Sequence, residues 1–261
     1  MRILCIGDVV GSVGCRFLRA KLPALKRVKG IDVVICNGEN SADGNGITPS
    51  SAQFLFDSGV DVITLGNHAF RRREMYEVLD ENPFIARPAN FPDNAAPGHG
   101  VVNLDMGRRV ISVVNLMGNM YLESGLDCAF DVIDRALQQA QGSIVVVDFH
   151  AEATSEKRAM GYYLDGKVSA VFGTHTHVQT SDALVLPKGT AYLSDLGMCG
   201  PYLSSIGREL KPVLTKFLSG MPSRFKIAEG PATLEGAVIT FDPKTKRASS
   251  IETLRVREPF A

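Results

Sequence analysis

Short apolar runs that end at a glycine or a polar turn recur along the chain. Residues 3–6, 33–36 and 62–65 are apolar at nearly every consecutive position rather than at alternate ones, a pattern that predicts strands buried on both faces. Between the first two, Phe17, Leu18, Leu22 and Leu25 recur near helical spacing, while Pro23 argues against an unbroken helix there. Residues 50–58 and 71–80 are further helical candidates between strands. A repeated β-α unit implies a largely parallel sheet with right-handed crossovers.

The second half continues the pattern. Residues 101–104 and 110–115 flank Asp105-Met106-Gly107-Arg108, which predicts a hairpin near a sheet edge. Residues 126–140 have a helical period, and 144–147 and 168–172 are two more buried strands. Residues 183–186, 190–193, 234–241 and 251–256 add strand material, the last two joined through Asp242-Pro243-Lys244-Thr245. They predict a second sheet or an antiparallel extension. Segment 196–231 is the least regular, rich in glycine and proline around a helix near 206–218; it fits a lid, a dimer contact or a plain surface connection. No repeat, low-complexity tract or linker divides the chain, so its 261 residues are read as one α/β domain spanning 1–261.

Charge narrows the partners. Lys plus Arg and Asp plus Glu number 28 each, which provides no basic field for tracking a polyanion and argues against an obligate nucleic-acid partner. A small phosphate ester stays open, because bound cations supply charge that side-chain counting misses. The five cysteines are odd in number and irregularly spaced, and Cys5 and Cys36 lie in apolar runs as ordinary buried thiols. With no signal-like opening segment and no membrane-length apolar stretch, the expected setting is a reducing, cytoplasmic one.

The chemistry sits where the apolar runs stop. Gly7-Asp8, Gly38-Glu39-Asn40, Gly66-Asn67-His68, Asp148-Phe149-His150 and Gly173-Thr174-His175-Thr176-His177 each follow such a run. In an open α/β sheet ligands collect beyond the carboxyl ends of the strands, so residues far apart in sequence meet there. Two carboxylates, an amide oxygen and three imidazoles form a mixed oxygen and nitrogen set suited to iron or manganese, with zinc an alternative. The number of ligands argues for two ions. His175 and His177, leaving the strand in extended geometry, would share a face and reach adjacent metals. Glu39 is the candidate bridge; Asp8 and His177 complete one side, and Asn67, His150 and His175 the other. Asn40 is either a further ligand or a group orienting Glu39.

Two ions about 3.5–4 Å apart share a hydroxide and bind phosphate oxygens for in-line attack. His68 then protonates the departing oxygen, or else hydrogen-bonds the phosphate. Single residues carry bland readings of their own, such as helix caps for Asp8 and Glu39 and a satisfied core histidine for His150. The recurrence of the pattern outweighs them. The Arg71-Arg72-Arg73 run reads as a solvated helix start, or as a phosphate contact if it borders the cleft.

Gly66-Asn67-His68 and Gly173-Thr174-His175-Thr176-His177 resemble the closing metal motifs of calcineurin-like metallophosphoesterases. With Asn37-Gly38-Glu39-Asn40, the segment from Asp148 to Lys157 and Asp195-Leu196-Gly197-Met198-Cys199-Gly200-Pro201, essentially the whole chain is similar to the bacterial YmdB-like branch. That resemblance implies a four-layer α-β-β-α sandwich, a binuclear site and 2',3'-cyclic nucleotide phosphodiesterase activity, with 2',3'-cyclic AMP as the characteristic substrate. It implies opening at the 2' side to leave a 3'-phosphate. It places Asp8, Glu39, Asn40, Asn67, His150, His175 and His177 at metal positions and His68 at the acid position, with iron as the expected metal and manganese as an alternative. A broader phosphodiesterase, a phosphomonoesterase or a regulatory metal-binding protein would be built from the same parts, and homo-oligomerisation stays open. Val10 stands where the broad superfamily has a histidine, Glu39 where it has a bridging aspartate, and Phe70-Arg71 where the branch often has tryptophan-aspartate.

Overall fold

A computed structural model of the chain describes residues 1–92, 94–122 and 125–259. Its first half is the β-α alternation read from the apolar runs: β1 (Arg2–Ile6), β2 (Asp8–Val9), α1 (Gly11–Lys29), β3 (Val33–Asn37), α2 (Pro49–Asp57), β4 (Val62–Thr64), α3 (Tyr76–Glu81) and β5 (Ile85–Ala86). A 3-10 turn, Arg73–Met75, leads into α3, so the helix expected over 71–80 begins later and is split by geometry. α1 runs unbroken through Pro23, contrary to expectation. Both Pro23 and Arg19 are exposed, so the carbonyl that a proline four residues on cannot serve lies on the solvent face. α2 starts as its sequence dictates, with Thr48 and Ser51 forming a reciprocal cap and Pro49 in the first turn.

The middle of the chain builds the second sheet: the hairpin β6 (Val101–Asp105) and β7 (Val110–Met117), α4 (Ala129–Gln139), β8 (Ile144–His150), α5 (Thr154–Tyr163), β9 (Ala170–Thr174), β10 (Leu184–Val185) and β11 (Ala191–Leu193). Then come β12 (Met198–Pro201), α6 (Leu210–Ser219), and the long antiparallel pair β13 (Ala232–Phe241) and β14 (Ala248–Arg257). β12 lies inside the segment read as irregular; its Met-Cys-Gly-Pro sequence has no strand-like run, and pairing with β2 and β13 imposes the extended form.

The first sheet runs β2-β12-β13-β1-β3-β4-β5, with β14 on β13, and the second runs β10-β11-β9-β8-β7-β6. β1, β3, β4 and β5 are mutually parallel, as are β7, β8, β9 and β11. Side chains alternate across the layers. Ile3, Cys5, Val33 and Ile35 pack between the sheets with Val113, Val146 and Phe172, while Leu4, Ile6, Val34 and Cys36 pack outward against Phe17, Leu18 and Leu22 of α1. Val114, Val147 and Phe149 face Val132, Ile133 and Met160 of α4 and α5. The result is the α-β-β-α sandwich, and it brings the carboxyl ends of the parallel strands of both sheets together.

Candidate active site

Every candidate residue sits at one of those strand ends. Asp8 opens β2 directly after β1, Glu39 and Asn40 follow β3, Asn67 and His68 follow β4, His150 is the last residue of β8, and His175 and His177 follow β9. The first sheet thus contributes the carboxylates and amides, and the second the three imidazoles.

One group of donor atoms converges on His150. Its Nε2 lies 3.0 Å from Asn67 Oδ1, 3.1 Å from His175 Nδ1 and 3.2 Å from Glu39 Oε1. The donor atoms of Glu39, His150 and His175 all fall within 4.8 Å of one another. The ring is oriented from behind: Thr174 Oγ1 donates to Asp148 at 2.7 Å, so at 2.9 Å it accepts from His150 Nδ1, leaving Nε2 to face the group. His175 Nε2 in turn meets Glu152 Oε2 at 3.0 Å. Only glycine fits at position 66, because a Cβ there would lie 2.3 Å from the His150 ring.

A second group lies beside it. His177 Nε2 is 3.4 Å from Asp8 Oδ1, and Asn40 Nδ2 is 3.4 Å from both and 3.3 Å from Glu39 Oε1. His177 Nδ1 donates to the Ile206 carbonyl at 3.0 Å, which directs Nε2 to Asp8. Glu39 therefore touches both groups. His68 caps the pair, its backbone N–H donating to Glu39 Oε2 at 2.9 Å and its Nδ1 lying 3.1 Å from Asn40 Oδ1. The expected extended exit of the His175-Thr176-His177 segment is not found. His175 has φ +103° and His177 φ +62°, and this left-handed turn, not a shared strand face, sends one imidazole to each group.

Electrostatics follow from burial and pairing. Burial works against ionisation of Asp8, but His177 outweighs it and holds the carboxyl below its usual range. Burial likewise opposes ionisation of Glu39, and His150 and His68 hold it well below that range. Burial disfavours the His150 cation, yet the Glu39 carboxylate pushes its pKa up to about 9. Burial and the neighbouring His150 cation bring His175 down to about 4. The groups thus neutralise one another through protons where oxygen and nitrogen lone pairs converge. A divalent cation replacing those protons suits such a donor set, and the residues present fit a metal.

A family model described as YmdB-like protein matches residues 4–254. The chain belongs to the YmdB-like family. The sandwich described above is shared with solved structures similar to this chain. The YmdB-like chain is 44% identical over 260 residues to the 2',3'-cyclic-nucleotide 2'-phosphodiesterase of Bacillus subtilis (strain 168), covering 99% of this chain and 98% of that one. A crystal structure of a hypothetical protein from Thermus thermophilus superposes with TM-score 0.93 at 42% identity, over 99% of this chain and 100% of the other. A structure described as a novel phosphatase from Mycoplasma pneumoniae gives TM-score 0.93 at 33% identity, over 98% and 93%. Among the described residues of the YmdB-like chain, no helix is long and apolar enough to cross a membrane.

Several residues that support this YmdB-like site were given no supporting role from sequence, although most lie in the motifs quoted above. Asp148, Thr64, Thr174 and Asn37 form a buried polar seam between the sheets: Thr64 and Thr174 donate to Asp148, and Asn37 donates to Thr174 at 3.4 Å. Burial pushes the Asp148 carboxyl up to about 7. A charged residue closing the Ile144-Val145-Val146-Val147 run was the available signal. Lys157 and Asp195 form a buried ion pair at 2.7 Å, and Asp195 also holds Thr176, between the two imidazoles. Of the arginine run, Arg72 donates to the Asn45 and Asp43 carbonyls, and so braces the loop after Asn40. Phe70 packs edge-on to Tyr76 and Phe91.

Proposed function

We propose that this chain is a metal-dependent 2',3'-cyclic-nucleotide 2'-phosphodiesterase that releases a 3'-nucleotide. The observation that carries the reading is the meeting of Glu39, Asn67, His150 and His175 donor atoms around one point, with Asp8, Asn40 and His177 alongside and His68 over both. The identity to the Bacillus subtilis enzyme supports the substrate. Asn67, His150 and His175 would hold one divalent ion and Asp8 and His177 a second, with Glu39 shared and Asn40 a ligand or an orienting group. Iron suits this set, and manganese or zinc also matches its oxygen and nitrogen donors. When bound, the ions supply an activated water and compensate charge at the phosphoryl oxygens.

The chain's own residues do the rest. Thr174 and Asp148 hold the His150 ring in one tautomer, and the Ile206 carbonyl does the same for His177. His68, partly exposed at the cavity lined also by Glu39, Asn40, His175 and His177, delivers a proton to the departing 2' oxygen. The whole chain acts as one catalytic unit, since donors arrive from both sheets. The five described cysteines are all free thiols, which supports a reducing, cytoplasmic setting.

The test compares hydrolysis of 2',3'-cyclic AMP, 3',5'-cyclic AMP and phosphate monoesters by the metal-loaded protein, with the product resolved as 3'- or 2'-AMP. Preference for the first compound with 3'-AMP released is expected. Preference for monoesters would reject the reading and favour a phosphomonoesterase.

A further inference from the structure

The candidate site opens into a cavity of about 380 Å³ whose two sides differ in chemistry. One side is Glu39, Asn40, His68, His175 and His177; the other is Ile206, Val213, Phe217 and Phe225, all from the stretch around α6. None of these four side chains offers a metal ligand or a transferable proton. We propose that it is the wall that binds the nucleobase of the substrate, with Phe217 and Phe225 as the stacking surfaces; the proposal rests on the phosphodiesterase reading of the same site.

Three observations support it. Phe217 is 79% exposed and Ile206 51% exposed, although both line a cavity shared with buried polar groups. Large apolar side chains left in water beside a polar site fit a ligand with one polar and one flat apolar end. The wall is also tied to the chemistry. Ile206 is β-branched with φ +47°, a strained conformation for such a residue, and its carbonyl takes the His177 Nδ1–H at 3.0 Å. One residue therefore sets both the His177 ring and part of the wall. Finally, the rim is cationic: Lys216 Nζ stands 5.3 Å from the Phe225 ring centroid, and Arg208 reaches across to the Gly44 carbonyl at 2.7 Å. Positive charge beside aromatic faces suits a nucleotide, whose base stacks while its phosphate stays anionic. The apolar stripe Leu210, Leu214 and Leu218 on α6 is exposed too but does not line the cavity, so it is not included in the wall.

The test uses the metal-loaded full chain, Phe217→Ala, Phe225→Ala and Phe217→Trp, with two five-membered cyclic phosphates: 2',3'-cyclic AMP and glycerol 1,2-cyclic phosphate, which has no base. The wild type should favour the nucleotide in kcat/KM, and each alanine variant should reduce that preference by roughly 10- to 100-fold, as loss of one base–aromatic stack would. Phe217→Trp should retain it. Calorimetric affinity for 3'-AMP relative to inorganic phosphate should change in parallel. An unchanged preference in both alanine variants would overturn the proposal. So would Phe217→Ala dissociating an oligomer in sedimentation while the preference held, which would assign this face to a second copy. If the wild type hydrolyses neither cyclic phosphate, the phosphodiesterase reading fails, and the 3'-AMP affinities still decide: loss in the alanine variants supports the wall, equality refutes it.

Discussion

Replacing Asp195 with alanine should be among the most damaging changes outside the donor groups themselves. Asp195 and Lys157 are each about 1% exposed and meet at 2.7 Å. Asp195 Oδ2 also accepts from the Thr176 N–H at 3.1 Å and the Thr176 hydroxyl at 2.8 Å, and Oδ1 accepts from the Gly197 N–H at 2.9 Å. Truncation strands the Lys157 ammonium, whose remaining partner is the Thr174 carbonyl at 2.9 Å. Removing one member of a buried pair costs about 3–5 kcal/mol, a large part of the roughly 5–15 kcal/mol that keeps a domain folded. With a urea m-value of about 3 kcal/mol/M, the midpoint should fall by about 1–2 M. Lys157→Met should cost less, because Asp195 keeps three donors. The double variant should cost clearly less than the sum of the singles, since no charge is then stranded. Thr176 separates His175 from His177, so metal content measured by mass spectrometry should fall in Asp195→Ala. A loss below about 1 kcal/mol, with the double equal to the sum, would refute the view that the pair braces the turn.

Four further outcomes follow from the site. Glu39→Ala removes a side chain touching both groups, so metal content and turnover should fall together; full metal retention would reject its shared role. His68→Ala should keep metal content and lower turnover about 10²- to 10⁴-fold, with unchanged turnover excluding an acid role. Gly66→Ala puts a methyl 2.3 Å from the His150 ring and should abolish metal retention; a variant that binds metal normally would contradict the packing. For the metal-free protein the His150 pKa, raised from 6.5 to about 9, sets a sign. The folded state keeps a proton there that the unfolded chain has lost, so stability falls as pH rises from 7.5 to 9, by about 2 kcal/mol for this group. Urea midpoints of metal-stripped protein that rise over that interval would reject the Glu39–His150 pairing.

Most of the fold was legible because its strands are buried on both faces, which concentrates apolar residues into short runs with a glycine or polar stop. That stop is also why the donors were legible, since the chemistry of an open sheet gathers where its strands end. What escaped had a different origin. β12 has no apolar run and is extended because β2 and β13 flank it, a tertiary effect invisible to local pattern. Pro23 reads locally as a breaker, yet its cost is small where the disrupted carbonyl faces water. The left-handed backbone at His175 and His177 is outside what spacing can report, for a non-glycine residue adopts it only when its surroundings over-determine it. Asp195 supplies one such constraint through Thr176, and Ile206 another through the His177 ring.

The division of donors between sheets bears on why a polar seam is tolerated in the core. Asp8, Glu39, Asn40 and Asn67 belong to the first sheet, and His150, His175 and His177 to the second, so neither sheet alone could assemble either group. Their relative position must be fixed to a fraction of an ångström. Apolar packing between sheets fixes spacing but is non-directional and weak in specifying register. Hydrogen bonds from Thr64 and Asn37 of the first sheet to Asp148 and Thr174 of the second are directional, and they lie directly behind the His150 ring. The seam costs desolvation of a carboxylate, visible in the raised Asp148 pKa, and in return locks the two halves of the site together. A core of aliphatic residues at those positions would hold the sandwich as firmly, but would leave His150 free to turn its lone pair away from Glu39 and Asn67.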